Sequence, residues 1–593
     1  MRKYLQAKQK KWFWFLVLAL IGYTVKNIFV GADVDEGYGI MVGYRLAQGD
    51  RLLLEMWEPH QTSAIFTALF IKPFLWITGG QMDFLNIYLR ICFFAVHGLL
   101  AYWIYRTVVV CAPQIGNITA ALMVGFFYVS SPKCIYIPEY SNLQVWFTLG
   151  LILCLLWYFC ENSPLKGKLW MLTLAGLFLT CDVLAYPSMA LLFPVCIGVI
   201  IWYSVAAERN AAKEDAAANA KAVKNKAEAL KACGCFVLPC VLGALLFVGY
   251  LLSYMSIDRI IQVIPYILGD GSHQVGWSEK LLGWGQDLET IIVHLAVGGL
   301  FAAGCAAFNY VTVKKQGCVT AFVPLLFFWF IIAQAAFQVG YWCLGGDAVV
   351  CPQINYFFIP VLGIYCYKQN QKKDSPAILM IGLTFCGYLA VALLSNWGLS
   401  SLHVYLTVAV LGGFWCWNTY FTEKLGVQGQ RLIWRLLFVV IICNVFGYSY
   451  RMIGGDSMSS NILEVRGINR TGVRAGILTN YMTSYRYNVN QESWEEMVPV
   501  GSKLLYVGAS QYSYMMGDCV VAIPSTISTP SYNESMLAYW ELNLDRYPDV
   551  VAVESMYGEI TVAEPDSFIM QWLENEFQAT EIVEYPYLTI YKK

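Results

Sequence analysis

Apolar stretches of about 18 or more residues recur along this chain about thirteen times, joined mostly by short polar loops. They fall near 12–30, 84–105, 115–132, 143–160, 169–184, 188–205, 234–255, 289–309, 318–338, 354–367, 376–394, 402–420 and 433–449. In hydrocarbon every peptide group has to find its partner inside its own segment or within a closed barrel, so runs of this length fold as spanning helices. The fold class that follows is a polytopic α-helical membrane protein. Composition agrees: 13% of the residues are charged and 58% hydrophobic, where soluble domains carry about 25% charged residues. No basic face is concentrated enough for a nucleic-acid partner.

Charge parity sets the topology. Alternate loops carry Arg106, then Lys166 and Lys168, then the basic residues between Arg209 and Lys231, then Lys314 and Lys315, then Lys368, Lys372 and Lys373, then Lys424, Arg431 and Arg435. Basic loops stay in the cytoplasm. Arg2, Lys3, Lys8, Lys10 and Lys11 ahead of the first apolar run make it an uncleaved signal anchor with a cytoplasmic N-terminus. A further apolar run, 62–80, would move all those basic clusters outside if it crossed. It is therefore expected to lie on the outer membrane surface, with Lys72 in its middle. The Ala-, Lys- and Glu-rich stretch 206–232 reads as a solvated cytoplasmic helix joining two spans.

Residues 1–450 thus form the transmembrane region, with outer loops at 31–83, 133–142, 256–288 and 339–355. After Tyr450 the apolar spans stop. Strand-like runs at 503–507, 519–523 and 550–553 alternate with helical stretches at 534–544 and 566–577, and a hairpin is expected around Pro586. An odd number of spans puts this small α/β domain, 451–593, outside. No glycine-rich phosphate loop follows its strands. Most of the nineteen cysteines fall in apolar spans and act there as small hydrophobes. Cys343 and Cys351 share one outer loop, where a disulfide is compatible with the compartment.

The chemistry is expected where acids meet the bilayer. The first outer loop opens on Asp33-Val34-Asp35-Glu36-Gly37-Tyr38, and the second holds a lone Glu139 at the start of the next span. Carboxylates at a membrane boundary are costly to desolvate and mark functional sites by default. Two of them on one side point to chemistry on a lipid-linked substrate, although a helix cap also accounts for Glu139. Asp50 and Glu55, farther along the first loop, read as solvated loop acids.

The pattern Asp35-Glu36-x-Tyr38, then Gly49, then Trp57-Glu58-Pro59-His60, then Glu139 resembles the GT-C superfamily of membrane glycosyltransferases. Protein O-mannosyltransferases and the lipid A aminoarabinose transferase belong to it. Pro59-His60-Gln61 stands where that family often has Pro-Pro-Leu, and Glu139 where it often has Asp. The resemblance implies a GT-C-like fold with an extracytoplasmic C-terminal domain, in the plasma membrane of a bacterium. It also implies transfer of a sugar from a polyprenyl-phosphate donor to an acceptor outside: glycan, lipid or protein. Asp35 becomes the general base, with Glu36 and Glu139 as supporting acids. Tyr38, Trp57, Glu58 and His60 become substrate contacts. Arg259, His273, Asn355 and Tyr356 become contacts to the donor phosphate and head group. A divalent metal held by Asp35 and Glu139 is one option, and two carboxylates working without metal the other. A phosphate leaving group needs no protonation, so one base and one displacement imply inversion at the anomeric carbon. The rivals are a lipid or solute transporter, which would place ionisable residues in mid-membrane helices, and a membrane polysaccharide polymerase, which would rely on outer arginines.

Overall fold

The structure is a computed structural model. It describes residues 2–32, 34–130, 135–160, 168–212, 218–268, 276–314, 326–334, 350–370, 375–395, 398–399, 402–450, 461–508, 511–526, 535–554, 556–557, 560–561, 565 and 567–593. Asp33, His273, Cys343 and most of the 339–355 loop lie outside the described residues.

Besides a helical stretch at 326–334, fourteen α-helices make up most of the described part of the first 450 residues. They are α1 (Arg2–Phe29), α2 (Val34–Gln48), α3 (Ala64–Thr78), α4 (Leu85–Cys111), α5 (Asn117–Tyr128), α6 (Tyr140–Phe159), α7 (Leu169–Ala185), α8 (Leu192–Ala212), α9 (Ala218–Leu252), α10 (Ile257–Leu268), α11 (Trp277–Lys314), α12 (Val350–Gln369), α13 (Ser375–Leu394) and α14 (Thr407–Tyr450). Seven helical stretches among the described residues are long and apolar enough to cross a membrane, and three further apolar stretches are shorter. The expected count of thirteen is therefore not reached on length and apolarity. Part of the gap is in α14, which counts once but holds two of the expected spans. Gly426 breaks it at φ 56° and ψ −136°, a backbone state that only glycine adopts readily.

Residues 62–80 hold none of the seven stretches that are long and apolar enough to cross. The helix within them, α3, has 15 residues, against the roughly 20 needed to cross, and Gly79 ends it in a left-handed cap at φ 65°. Ile71 and Phe74 are buried against the rest of the molecule, while Leu69, Trp76 and Ile77 are exposed. One face is thus packed and the opposite face is bare hydrocarbon.

Beyond residue 460, β3 (Lys503–Val507) is flanked by β4 (Val520–Val521) and β5 (Val550–Glu554), both parallel to it. Strand β9 (Leu588–Lys592) pairs antiparallel with β5, and β8 (Glu581–Glu584) forms the outer hairpin strand. The order is β4-β3-β5-β9-β8. All five residues of β5 are buried, as expected of a central strand covered on both faces. Two-residue ribbons β1/β2 (Gly467–Ile468 and Leu478–Thr479) and β6/β7 (Met556–Tyr557 and Ile560–Thr561) accompany helices α15 (Tyr481–Met497), α16 (Ser535–Leu542) and α17 (Phe568–Trp572).

This sheet unit is not an appendage. One apolar core holds Ile40, Met41 and Tyr44 of α2, Ile71 and Phe74 of α3 and Leu89 of α4, together with Trp494, Leu504, Tyr512 and Val551 from the C-terminal part. Backbone hydrogen bonds seal the joint, among them Trp57 N to Pro524 O at 2.8 Å, Asn86 N to Val473 O at 3.0 Å and Gly31 N to Leu478 O at 2.8 Å.

Candidate functional site

Helix α2 is the frame of the site. Gly39 and Gly43 lie one turn apart on one face. A Cβ at Gly39 would sit 2.7 Å from Cβ of Glu139, and one at Gly43 would sit 2.6 Å from Cγ2 of Thr67. The absence of side chains lets α2 press against the 135–139 loop and α3 together. Thr67 fixes that loop by donating to Pro138 O at 2.7 Å, and Asn142 does so by donating to Ile135 O and Ile137 O.

Asp35 is half-buried in the first turn of α2, where the helix dipole favours a negative charge. It precedes Gly39 by four residues and so shares its face, with Cβ positions about 5–6 Å apart. That places Asp35 within one helical turn of Glu139. Both charges act on the Tyr140 phenol. Glu139 is buried and caps α6, its two carboxylate oxygens accepting from Ser141 N and Asn142 N at 2.9 Å each. Around this pair stand aromatic rings. His60 stacks on Tyr140 at 4.0 Å with an interplanar angle of 3°, and Tyr186 lies 5.1 Å from His60. Tyr38 meets the far edge of Tyr140 at 6.3 Å. The result is a half-open carboxylate, a buried one and an aromatic wall at the junction of α2, α6 and the first outer loop.

Other expected site residues have structural partners. Glu36 is fully buried in a two-point ion pair with Arg90 of α4, at 3.0 and 2.5 Å. Arg90 also donates to Asn27 O, Ile28 O and Gly31 O, so this pair ties the end of α1 and the start of α2 to α4. Glu58 is equally buried and bonds Arg45 at 3.2 Å, Ser525 Oγ at 2.7 Å and Thr526 N at 2.7 Å. Burial pushes its carboxyl upward, opposed by Arg45 and those donors. Trp57 stacks on Tyr266 at 5.2 Å and meets Tyr539 edge-on at 5.1 Å. Arg259 donates to Leu542 O at 2.7 Å, capping the end of α16. Asn355 and Tyr356 are buried in the helix bundle, Tyr356 donating to Ser130 Oγ at 2.9 Å.

Two expectations for the first loop are overturned. Asp50 is 9% exposed and bridges Arg45 and Arg546, each at 2.8 Å. Glu55 is 5% exposed and pairs with Arg51. Neither is a solvated acid, because the C-terminal sheet unit covers the loop. Sequence reasoning also passed over Arg45 and Arg90. An arginine inside the apolar run 84–105 was the available signal, since ionisable residues in spans are rarely idle.

The fold and this site define a mostly helical membrane protein in which a small C-terminal sheet unit closes over the 49–63 loop, with a half-buried and a buried carboxylate beside stacked rings. No protein-family model and no curated protein matches the chain. Among solved structures, the Archaeoglobus fulgidus oligosaccharyltransferase in complex with Zn and sulfate is similar over 91% of this chain and 67% of that one, at 10% identity and a TM-score of 0.43. The archaeal oligosaccharyltransferase AglB from the same organism, with an inhibitory peptide and a dolichol-phosphate, is similar over 92% and 70%, at 8% identity and a TM-score of 0.39. The likeness is one of general architecture, and no residue role is taken from it.

Proposed function

We propose that this protein transfers a sugar from a polyprenyl-phosphate-linked donor to an acceptor outside the membrane, with inversion. It would do so as a thirteen-span protein with a cytoplasmic N-terminus, α3 on the outer membrane surface and residues 451–593 outside. The observation that carries the reading is the half-buried Asp35, held one helical turn from the buried Glu139 beside the His60–Tyr140 stack.

Asp35 accepts the proton of the acceptor hydroxyl as its oxygen attacks the anomeric carbon. The bond from that carbon to the phosphate oxygen breaks, and polyprenyl phosphate leaves already ionised. No general acid is needed. Glu139 contributes a fixed negative charge beside a carbon that gains positive character, and its caps to Ser141 and Asn142 hold it in place. His60 and Tyr140 offer flat apolar surface at the rim. Glu36 and Glu58 act through position, the first by anchoring α2 to α4 and the second by anchoring the loop to 525–526.

Among the described residues no three His, Cys, Asp or Glu side chains gather into a metal site. Asp35 and Glu139 are hard oxygen donors that suit magnesium or manganese when substrate oxygens and water complete the shell. Such an ion would neutralise charge on the donor phosphate. Purified protein in lipid, offered a panel of polyprenyl-phosphate sugars, should release polyprenyl phosphate with at least one of them in an acceptor-dependent way. Release from none, by correctly inserted protein with envelope extract as acceptor, would remove this proposal.

A further inference from the structure

We infer that the opposite end of the helix bundle carries a binding site for one phospholipid with a net negative headgroup. Helices α1 and α5 and the second half of α14 enclose a cleft of about 1840 Å³. Its walls are apolar, with Leu16, Leu20 and Ile21 from α1 facing Leu122 and Phe438. Along α1 it runs from Trp12 to Val25, about 20 Å at the rise of a helix. One leaflet of hydrocarbon is about 15 Å thick, so the cleft has the length of an acyl chain.

The two ends differ in polarity. Thr24 and Tyr128 share a hydrogen bond of 2.9 Å at one end. At the other end Arg431 and Arg435 line the cleft together with Asn117 and Trp434. The arginines stand four residues apart, hence on one helix face and about 6 Å from each other. Both are exposed, and neither forms an ion pair or a side-chain hydrogen bond within the described residues. Among the described residues no acidic side chain lines the cleft. The Trp434 indole is fixed by donating to Thr119 Oγ1 at 2.9 Å, and a ring held at this depth marks a headgroup boundary. Two unpaired guanidiniums at the mouth of an acyl-length apolar groove are complementary to a phosphodiester at the head of a lipid tail. The charge favours an anionic lipid over a zwitterionic one, whose own cation would face the arginines.

This inference does not rest on the proposed glycosyltransfer. Its test is native mass spectrometry of the detergent-solubilised full chain, titrated with phosphatidylglycerol or with phosphatidylcholine of the same acyl chains. Phosphatidylglycerol should be retained at least about tenfold better, in keeping with the attraction of two basic residues for anionic lipid. R431A/R435A should abolish the preference, R431K/R435K should keep most of it, and R470A in the exposed outer part should leave it unchanged. Equal retention of the two lipids would overturn the inference. So would a preference that survives R431A/R435A, or a dimer whose formation excludes lipid from the cleft.

Discussion

Arg45→Met removes a fully buried cation and leaves its two acidic partners behind. The guanidinium sits 2.8 Å from Asp50 and 3.2 Å from Glu58, and donates to Glu55 O at 2.6 Å. Asp50 keeps Arg546 at 2.8 Å, so its loss is partial. Glu58 keeps only the Ser525 and Thr526 donors and becomes a buried carboxylate without a counter-ion. Removing one partner of a buried pair costs about 3–5 kcal/mol. These residues join the 45–58 segment to the strand-end segment 523–526, so the cost should fall on the docking of the C-terminal sheet unit. Opening of that joint should then rise roughly 100- to 4000-fold, at a factor of ten per 1.4 kcal/mol. Limited proteolysis in detergent reads this directly when opening is fast relative to cleavage. Arg45→Met should be cut faster by about that factor, while Arg45→Met with Glu58→Met, which removes the stranded charge as well, should recover much of the loss. Cleavage of Arg45→Met at the parental rate would refute the idea that this ion cluster holds the C-terminal sheet unit in place.

Glu36→Gln should lower the yield of folded protein by stranding Arg90, a cost of about 3–5 kcal/mol, and Glu36→Met with Arg90→Met should restore much of the yield measured by size-exclusion chromatography. Equal yields of Glu36→Gln and the parent would return Glu36 to the list of catalytic candidates. Glu139→Gln keeps one capping oxygen, so stability should fall by no more than the ~1 kcal/mol of a cap while transfer falls at least about tenfold; a stability loss without a rate loss would reduce Glu139 to a cap. In a cysteine-free background, a single cysteine at Gln81, just past the end of α3, should react with an impermeant thiol reagent from outside only, and labelling from the cytoplasm alone would reverse the topology.

Much of the frame was legible in the sequence because lipid imposes a strong one-dimensional signal. Every expected span that falls within the described residues is mostly helix, and the run that charge parity set apart, 62–80, holds the shorter helix α3. Strands β3 and β5 and the β8–β9 hairpin matched their apolar runs to within about two residues. What escaped was the joint between the two regions. Asp50 and Glu55 look solvated in a loop taken alone, since nothing local encodes the arrival of Arg546 from almost five hundred residues away. Glu58 and Trp57 belong to a motif that reads as substrate contact, yet their partners are Ser525, Thr526 and Tyr539. The glycine face of α2 was visible as Gly39 and Gly43, but only a known neighbour turns a small-residue pair into a packing constraint. Of the described acids in its cluster, Asp35 is half-buried and Glu36 is buried against Arg90, a difference that no local pattern encodes.

The central claim rests on Asp35 as the base, and single-turnover transfer by Asp35→Asn tests it most directly. Asparagine keeps the shape and much of the hydrogen bonding but cannot accept the acceptor's proton. Asp50 cannot serve as the silent control, since it bridges two arginines; Glu581 on the exposed hairpin edge, with 57% of its side chain accessible, takes that place as Glu581→Gln. With the polyprenyl-phosphate donor saturating, Asp35→Asn should transfer at least about 100-fold more slowly, the low end of what general base catalysis supplies. Donor affinity should change little, because it depends on the lipid tail and phosphate, and Glu581→Gln should match the parent. Transfer by correctly folded Asp35→Asn at the parental rate would contradict the account.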